Sequence, residues 1–213
     1  LPGAPNKDRR LKLLRGTRII QGDEARKYIQ TIDVLRQFSI DAGFEEIVVP
    51  SIWNEETFTD KVGNENSSMM WRFKDKGDRS VCLVPEITGM LQETWREDWS
   101  KKNKTRNVFY VAKCYRYERP QKGRYREFTQ FGIEMLGSDD NSTAIELLRN
   151  ALNLFNIDYE LNSLVTRGLS YYTDRGFEAV AQELGAQKQI AGGGVYPEGV
   201  GWAIGIDRLI LLK

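Results

Sequence analysis

The sequence predicts an α+β fold, a mainly antiparallel β-sheet flanked by helices, and three observations carry that expectation. Within residues 107–136, two strand-like runs flank a short loop holding Pro120 and Gly123, the pattern of a hairpin. From Leu164 onward the chain turns strand-like and glycine-rich, with segments at 190–194 and 201–206. Helical patterns are few and do not alternate with strands as the crossovers of a parallel sheet require.

Residues 1–14 lack an apolar period and read as a tail or an edge segment. Asp23 is the expected N-cap of a helix whose apolar positions Ala25, Tyr28, Ile29, Ile32, Leu35 and Phe38 follow the 3.6 period, with Gly43 as its stop. A strand over 45–49 ends at Pro50, and the polar stretch 55–78, with Met69, Met70, Trp71 and Phe73, reads as loop and one short strand. Residues 80–83 form the next strand, after which Thr88 is expected to cap a helix carrying Met90, Leu91 and Trp95. Beyond the hairpin, Thr143 and Glu146 suit a capping box for an amphipathic helix with Ile145, Leu148, Leu152 and Phe155. No internal repeat or low-complexity tract interrupts this order.

With 213 residues and 40% hydrophobic content, the chain can bury a sizeable core, and one domain spanning 1–213 is expected. A net charge of +1 means that any nucleic-acid contact needs a local patch. Two exist, the run Lys101, Lys102, Lys104 and Arg106, read first as a solvated face, and the hairpin loop with Arg119, Lys122, Arg124 and Arg126. Cys82 and Cys114 fall in strands without metal-ligand spacing and read as reduced thiols. No signal peptide or membrane span is visible, so a soluble, cytoplasmic protein is expected. Histidine is absent, which excludes Ser-His-Asp and Cys-His units and any imidazole metal site. Chemistry must rest on Arg, Glu and bound substrate groups, and no protein-held metal is expected.

Counting by twos, Arg116 and Glu118 share a face with Ala112 and Cys114, while Phe128, Gln130, Gly132 and Glu134 share one on the second strand. A guanidinium, two carboxylates, an amide, an aromatic ring and a glycine gap on one wall suit a nucleotide and an amino acid.

Residues 115–134 resemble motif 2 of the class II aminoacyl-tRNA synthetases, and 118–126 resemble the bacterial type of histidyl-tRNA synthetase in particular. The helix, strand and Pro50 over about 24–50 resemble motif 1, through which class II synthetases dimerise, although a helix packed on its own sheet would show the same periodicity. Residues 199–213 resemble motif 3, and Arg15-Gly16-Thr17-Arg18 resembles the segment leading into the active site of this family.

The resemblance implies a catalytic core that activates L-histidine with ATP and Mg2+, transfers it to the acceptor end of tRNA(His), and forms a homodimer. It implies that Arg116 holds the α-phosphate and the substrate carboxylate, that Arg208 takes the γ-phosphate and Arg124 the polyphosphate, and that Glu118 and Phe128 read adenine. Arg167, in the run 165–172, matches the arginine peculiar to histidyl-tRNA synthetases that sits near the α-phosphate. Glu86, Thr88 and Gln130 match the residues for the α-amino group, while Glu134, Tyr171, Tyr172 and Tyr196, beside a turn at 192–194, would shape the imidazole pocket. Arg119 and Gln121 correspond to residues that read the end of the tRNA.

The pattern departs from the family at Val84, Ile87, Tyr117, Thr129, Ser170 and Val195. Only about ten residues join the Phe155 helix to Arg167, where full-length enzymes insert a helical domain, and an anticodon-binding domain is not expected either. A competing reading is a non-catalytic, histidine-binding regulatory paralogue akin to the regulatory subunit of ATP phosphoribosyltransferase. Retention of Arg116, Glu118, Arg124, Phe128 and Arg208 speaks for ATP chemistry over sensing.

Overall fold

The two halves of the hairpin become the second and third strands of a seven-stranded sheet. A computed structural model describes residues 13–59, 67–163, 165, 172–173, 175–185 and 187–213. Its helices are α1 (Gly22–Asp41), α2 (Glu56–Thr59), α3 (Thr88–Glu97), α4 (Asn141–Asn153) and α5 (Ile206–Leu209). Its strands are β1 (Glu45–Ile47), β2 (Ile52–Asn54), β3 (Arg72–Lys74), β4 (Ser80–Leu83), β5 (Arg106–Tyr115), β6 (Glu127–Leu136), β7 (Glu160–Ser163), β8 (Gly176–Val180), β9 (Gln189–Tyr196) and β10 (Gly199–Gly205).

The large sheet runs β1-β5-β6-β10-β9-β8-β7, antiparallel throughout except for the parallel pair β1 and β5, and β2-β4-β3 form a small separate sheet. Alternation gives the large sheet two working faces. Phe109, Phe131, Phe177 and Trp202 point to one, where Leu35 of α1 and Leu148 and Leu152 of α4 bury them. The Phe109 and Phe131 rings stack there with centroids 5.6 Å apart. Val108, Tyr110, Ala112 and Cys114 point to the other face, covered by Ile87, Met90, Leu91 and Trp95 around α3 and by the small sheet. Cover on this second face is partial, and the uncovered part becomes a cleft.

Several helix ends differ from the sequence expectation. Asp23 lies inside the first turn of α1, paired with Arg26, while Gln21 holds the N-cap position without a side-chain bond. Ile29, expected on the buried stripe, is 57% exposed, because the face toward the sheet runs through Thr31, Leu35 and Ser39. Gly43 does end the helix: its φ of 83° lets its N–H reach the Ile40 carbonyl at 2.9 Å and the Phe44 N–H reach that of Ser39 at 3.0 Å. The cap of α4 is Asp140, which accepts the Thr143 N–H at 3.1 Å, rather than Thr143 with Glu146. Thr88 opens α3 without capping it, its hydroxyl being turned elsewhere. The glycines 192–194 lie within β9 and form no turn.

In the hairpin register Tyr110 sits opposite Gly132. The gap left by the glycine is therefore filled by a phenol from the same sheet and is not open pocket. A Cβ on Gly132 would lie 2.7 Å from Cε1 of Tyr110 and closer still to Cζ and the hydroxyl, and Tyr110 is 0% exposed, so the ring has nowhere to retreat. Gly132→Ala is expected to destabilise the fold by about 1–3 kcal/mol, read as a lower urea midpoint with an unchanged slope. An unchanged midpoint would mean that the Tyr110 ring is free to move.

Candidate active site

The cleft on the second face has a volume of about 340 Å³ and opens between the hairpin, the start of α3, the strands β9 and β10, and α5. Positive charge collects at one end. Arg116 follows β5 directly, and its Nε donates to the Pro85 carbonyl at 2.9 Å while its guanidinium sits 5.3 Å from the Phe128 ring centre. Arg208 stands on α5, where Nε donates to the Gly123 carbonyl at 3.0 Å, Nη1 to that of Gln189 at 2.8 Å and Nη2 to Gln187 Oε1 at 2.8 Å. Arg124, on the loop, is ion-paired with Glu118. All three guanidiniums line the cleft. Burial holds the Arg208 pKa below its ordinary value, and the like charges of Arg116 and Arg124 press it further down. Such a trio is set to receive an anion with several oxygens, since forked donors match phosphate and carboxylate geometry.

The other end is polar but carries little free charge. Glu86 is 3% exposed and accepts the Gly89 N–H with both oxygens, at 2.9 and 3.1 Å, at the N-terminus of α3. This carboxylate, not Thr88, satisfies that end of the helix. The Thr88 hydroxyl instead donates to Glu134 Oε1 at 2.6 Å, and the Tyr196 hydroxyl donates to Glu134 Oε2 at 2.5 Å. Glu134 and Tyr196 thus lie one layer beneath the wall formed by Thr88, Gln130 and Tyr172, and the Tyr172 ring meets that of Tyr196 edge-on at 6.2 Å. Burial lifts the Glu134 carboxyl to about 8, against the two hydroxyl donors that favour its charged form, and the nearby Glu86 adds to the rise. Gln130 Oε1 lies 3.3 Å from Cys114 Sγ, and both cysteines are free and buried.

Of the residues singled out in the sequence, Glu86, Thr88, Arg116, Glu118, Arg124, Phe128, Gln130, Tyr172 and Arg208 converge on this one cleft, with Glu134 and Tyr196 behind it. Arg167 and Tyr171 lie outside the described residues. Arg119 and Gln121 are exposed at the hairpin tip, where the Gln121 and Arg124 backbones pair across a turn made by Gly123 at φ 72°. Arg126 turns away from the cleft, its Nε donating to the Glu118 carbonyl at 3.1 Å and its guanidinium lying over the Tyr117 ring. The basic run at 101–106 is tied down locally: Lys102 pairs with Asp98 at 2.6 Å, and Arg106 with Glu45 at 2.9 Å.

Sequence reasoning missed Asp207, Tyr125, Glu178 and Gln189, which also line the cleft. Asp207 was detectable as the acid preceding Arg208, whereas Glu178 and Gln189 sit on strands whose pairing no local pattern announces. Among the described residues, no three His, Cys, Asp or Glu side chains converge to hold a metal ion, and no helix is long and apolar enough to cross a membrane.

Residues 16–165 match the family model described as histidyl-tRNA synthetase. The chain is 28% identical to a histidine–tRNA ligase of Methanospirillum hungatei, in an alignment covering 92% of this chain and 74% of that protein. That alignment spans 302 positions against 213 residues, so the relative carries internal segments that this chain lacks. A histidine–tRNA ligase of Clostridioides difficile is 40% identical over 72% of this chain and 37% of its own length. The apo histidyl-tRNA synthetase of S. aureus superposes with a TM-score of 0.76 at 25% identity, covering 95% of this chain and 70% of that one. A Bacillus halodurans protein titled as an ATP phosphoribosyltransferase regulatory subunit/histidyl-tRNA synthetase superposes at 0.79 with 14% identity, covering 99% and 84%, a likeness of fold alone.

The Glu134 carboxyl makes stability depend on pH. The folded protein holds this proton up to about 8, whereas an exposed glutamate releases it near 4.5. Stability linked to the group is therefore fully present below about 4.5 and lost as pH rises toward 8. Urea unfolding of the parent is expected to show stability falling over that range, and Glu134→Gln to flatten the fall. Parallel pH profiles for the two proteins would contradict a buried, proton-retaining Glu134.

Proposed function

Because the chain belongs to the histidyl-tRNA synthetase family and has the class II aminoacyl-tRNA synthetase fold, we propose that it activates histidine with MgATP to histidyl-adenylate and passes the aminoacyl group to tRNA(His). The observation that supports this reading best is the convergence of Arg116, Arg124 and Arg208 on one cleft whose other end is lined by Glu86, Thr88, Gln130 and Tyr172. Attack of a carboxylate on the α-phosphorus brings two anions together, and fixed guanidiniums offset both that repulsion and the charge growing on the phosphorus.

In this reading Arg116 lies between the polyphosphate and the amino-acid carboxylate, its guanidinium set over the Phe128 ring and held at the Pro85 carbonyl. Arg208 and Arg124 take the outer phosphates. Glu118 reads the adenine amino group and Phe128 stacks on the ring. Mg2+ rides on the phosphates of ATP. Arg167 adds a further cation near the α-phosphate.

Glu86, Thr88 and Gln130 receive the substrate α-amino group, while Tyr171 and Tyr172 flank the imidazole and Glu134 and Tyr196 shape its pocket from the layer behind. A buried polar pocket of this kind rejects amino acids that leave its groups unpaired more sharply than an apolar one does. Arg119 and Gln121, exposed on the loop, are placed to meet the tRNA end, where loop cations contact phosphates and only groups reaching base edges specify. The whole chain serves as one catalytic core in a cytoplasmic homodimer. Ile29 on α1 and Val48, 97% exposed just after β1, supply the apolar surface for that dimer.

A regulatory, histidine-sensing role shares the fold but leaves the arginine trio without a purpose. Histidine-dependent exchange of labelled pyrophosphate into ATP separates the two. Measurable exchange is expected, falling on the order of 100-fold with Arg116→Ala or Arg208→Ala and collapsing with Arg167→Ala. Histidine binding without exchange would favour the sensor, and exchange indifferent to histidine would end the reading altogether. Sedimentation is expected to give twice the 24.5 kDa of one chain, and a monomer would remove the dimer.

A further inference from the structure

Arg18 does not line the cleft, yet it touches two of the three elements that bring arginines to it. Its Nη2 donates to Asp207 Oδ1 at 2.6 Å, and Asp207 immediately precedes Arg208. Its guanidinium lies 4.2 Å from the centre of the Tyr125 ring, and Tyr125 immediately follows Arg124. Its Nη1 donates to Glu24 Oε1 at 2.5 Å, which anchors the side chain to the first turn of α1.

The surroundings reinforce this bridge. The second Asp207 oxygen accepts the Thr129 N–H at 2.7 Å, tying α5 to β6. Thr129 in turn is bonded to the Tyr28 hydroxyl on α1. The Gly16 carbonyl accepts the Arg126 N–H at 2.7 Å, so the segment before Arg18 runs along the hairpin loop. Gly16 has a φ of 87°, and a Cβ there would lie 2.6 Å from Arg126 Cγ.

The Arg208 Nε bond to the Gly123 carbonyl already joins α5 to the loop, and Arg18 adds a second tie between elements that carry like charges. Arg124 stands on a loop and Arg208 on a helix of four residues, and neither element is stiff by itself. Coulomb repulsion among cations that share a cleft drives loop and helix apart until an anion arrives. Arg18 opposes this through a pair with Asp207, a residue 4% exposed, where the attraction is screened far less than at the surface.

We propose that Arg18 is a positioning residue, a strut that joins the hairpin loop to α5 and so sets the spacing of Arg124 and Arg208 for a polyphosphate. The proposal rests on the polyphosphate reading of the cleft given above, and its test keeps the two apart.

Binding of inorganic pyrophosphate is measured by calorimetry on the parent, Arg18→Ala and Arg18→Lys, alongside thermal melting and the KM values for ATP and histidine in the exchange assay. Arg18→Ala is expected to bind pyrophosphate about tenfold more weakly and to raise the KM for ATP in step, with the KM for histidine little changed. Arg18→Lys keeps the charge opposite Asp207 but loses the flat contact with Tyr125, and recovers part of the loss. Parent-like affinity in Arg18→Ala overturns the strut while leaving the polyphosphate reading intact. A loss that follows melting temperature across the two variants also overturns it, because a purely structural role would do the same. Should Arg18→Ala fail to fold, Arg18→Lys decides: weaker binding at an unchanged melting temperature supports the strut, and parent-like binding refutes it. A parent that neither binds pyrophosphate nor exchanges it refutes the underlying reading and the strut with it.

Discussion

Mutual repulsion among Arg116, Arg124 and Arg208 is the constraint around which the cleft is built. Three guanidiniums do not share a partly buried space of their own accord, so each must be fixed by its stem or by donors not facing the cleft. Arg116 is fixed at the Pro85 carbonyl, Arg208 by three acceptors from two separate segments, and Arg124 by Glu118. Much of the local architecture makes sense as the supply of those acceptors. The Gly123 turn aims a carbonyl at Arg208, and the start of β9 aims another. An arginine cluster prepared in this way spends little on reorganisation when an anion enters.

The sheet separates the tasks by face. Aromatic residues from β5, β6, β8 and β10 form the core under α1 and α4, while the opposite face of β6, β8 and β10 offers Phe128, Gln130, Glu178, Ala203 and Gly205 to the cleft. The second face is deep as well as polar. Glu134 and Tyr196 sit behind the wall, bonded to each other and to Thr88, and Tyr110 occupies the space over Gly132. Depth accounts for the unusual proton affinity of Glu134: a carboxyl one layer inside has lost more solvation than two hydroxyl donors return.

Legibility in the sequence followed the range of the interactions. The hairpin, its period of two and the convergence of Arg116, Glu118, Phe128 and Gln130 were all readable, because register within a hairpin is set locally. Arg208 and Glu86 were reachable only through family resemblance, since strand order places them. Helix caps were misread where two candidates stood within a turn of each other, as at Asp140 against Thr143. Thr88 was misread because its hydroxyl answers to Glu134, a residue far along the chain. The filling of the Gly132 gap by Tyr110 was hidden for a different reason. A glycine in a strand signals close approach without saying whether ligand or protein approaches. Arg18 was noticed as part of a familiar segment, but its reach to Asp207 depends on how the amino-terminal segment crosses the hairpin loop.

Strand β10 alternates between extremes, with Val200, Trp202 and Ile204 buried in the core and Gly201, Ala203 and Gly205 turned to the other side. Pairing it one residue out of step with β6 would exchange the two sets. The indole would then stopper the cleft, and the core would be left with a row of hydrogens and a methyl. Correct alignment of this single strand is thus a condition of vacancy as much as of cohesion. The chain keeps its working space open by the same pairing that keeps its interior filled.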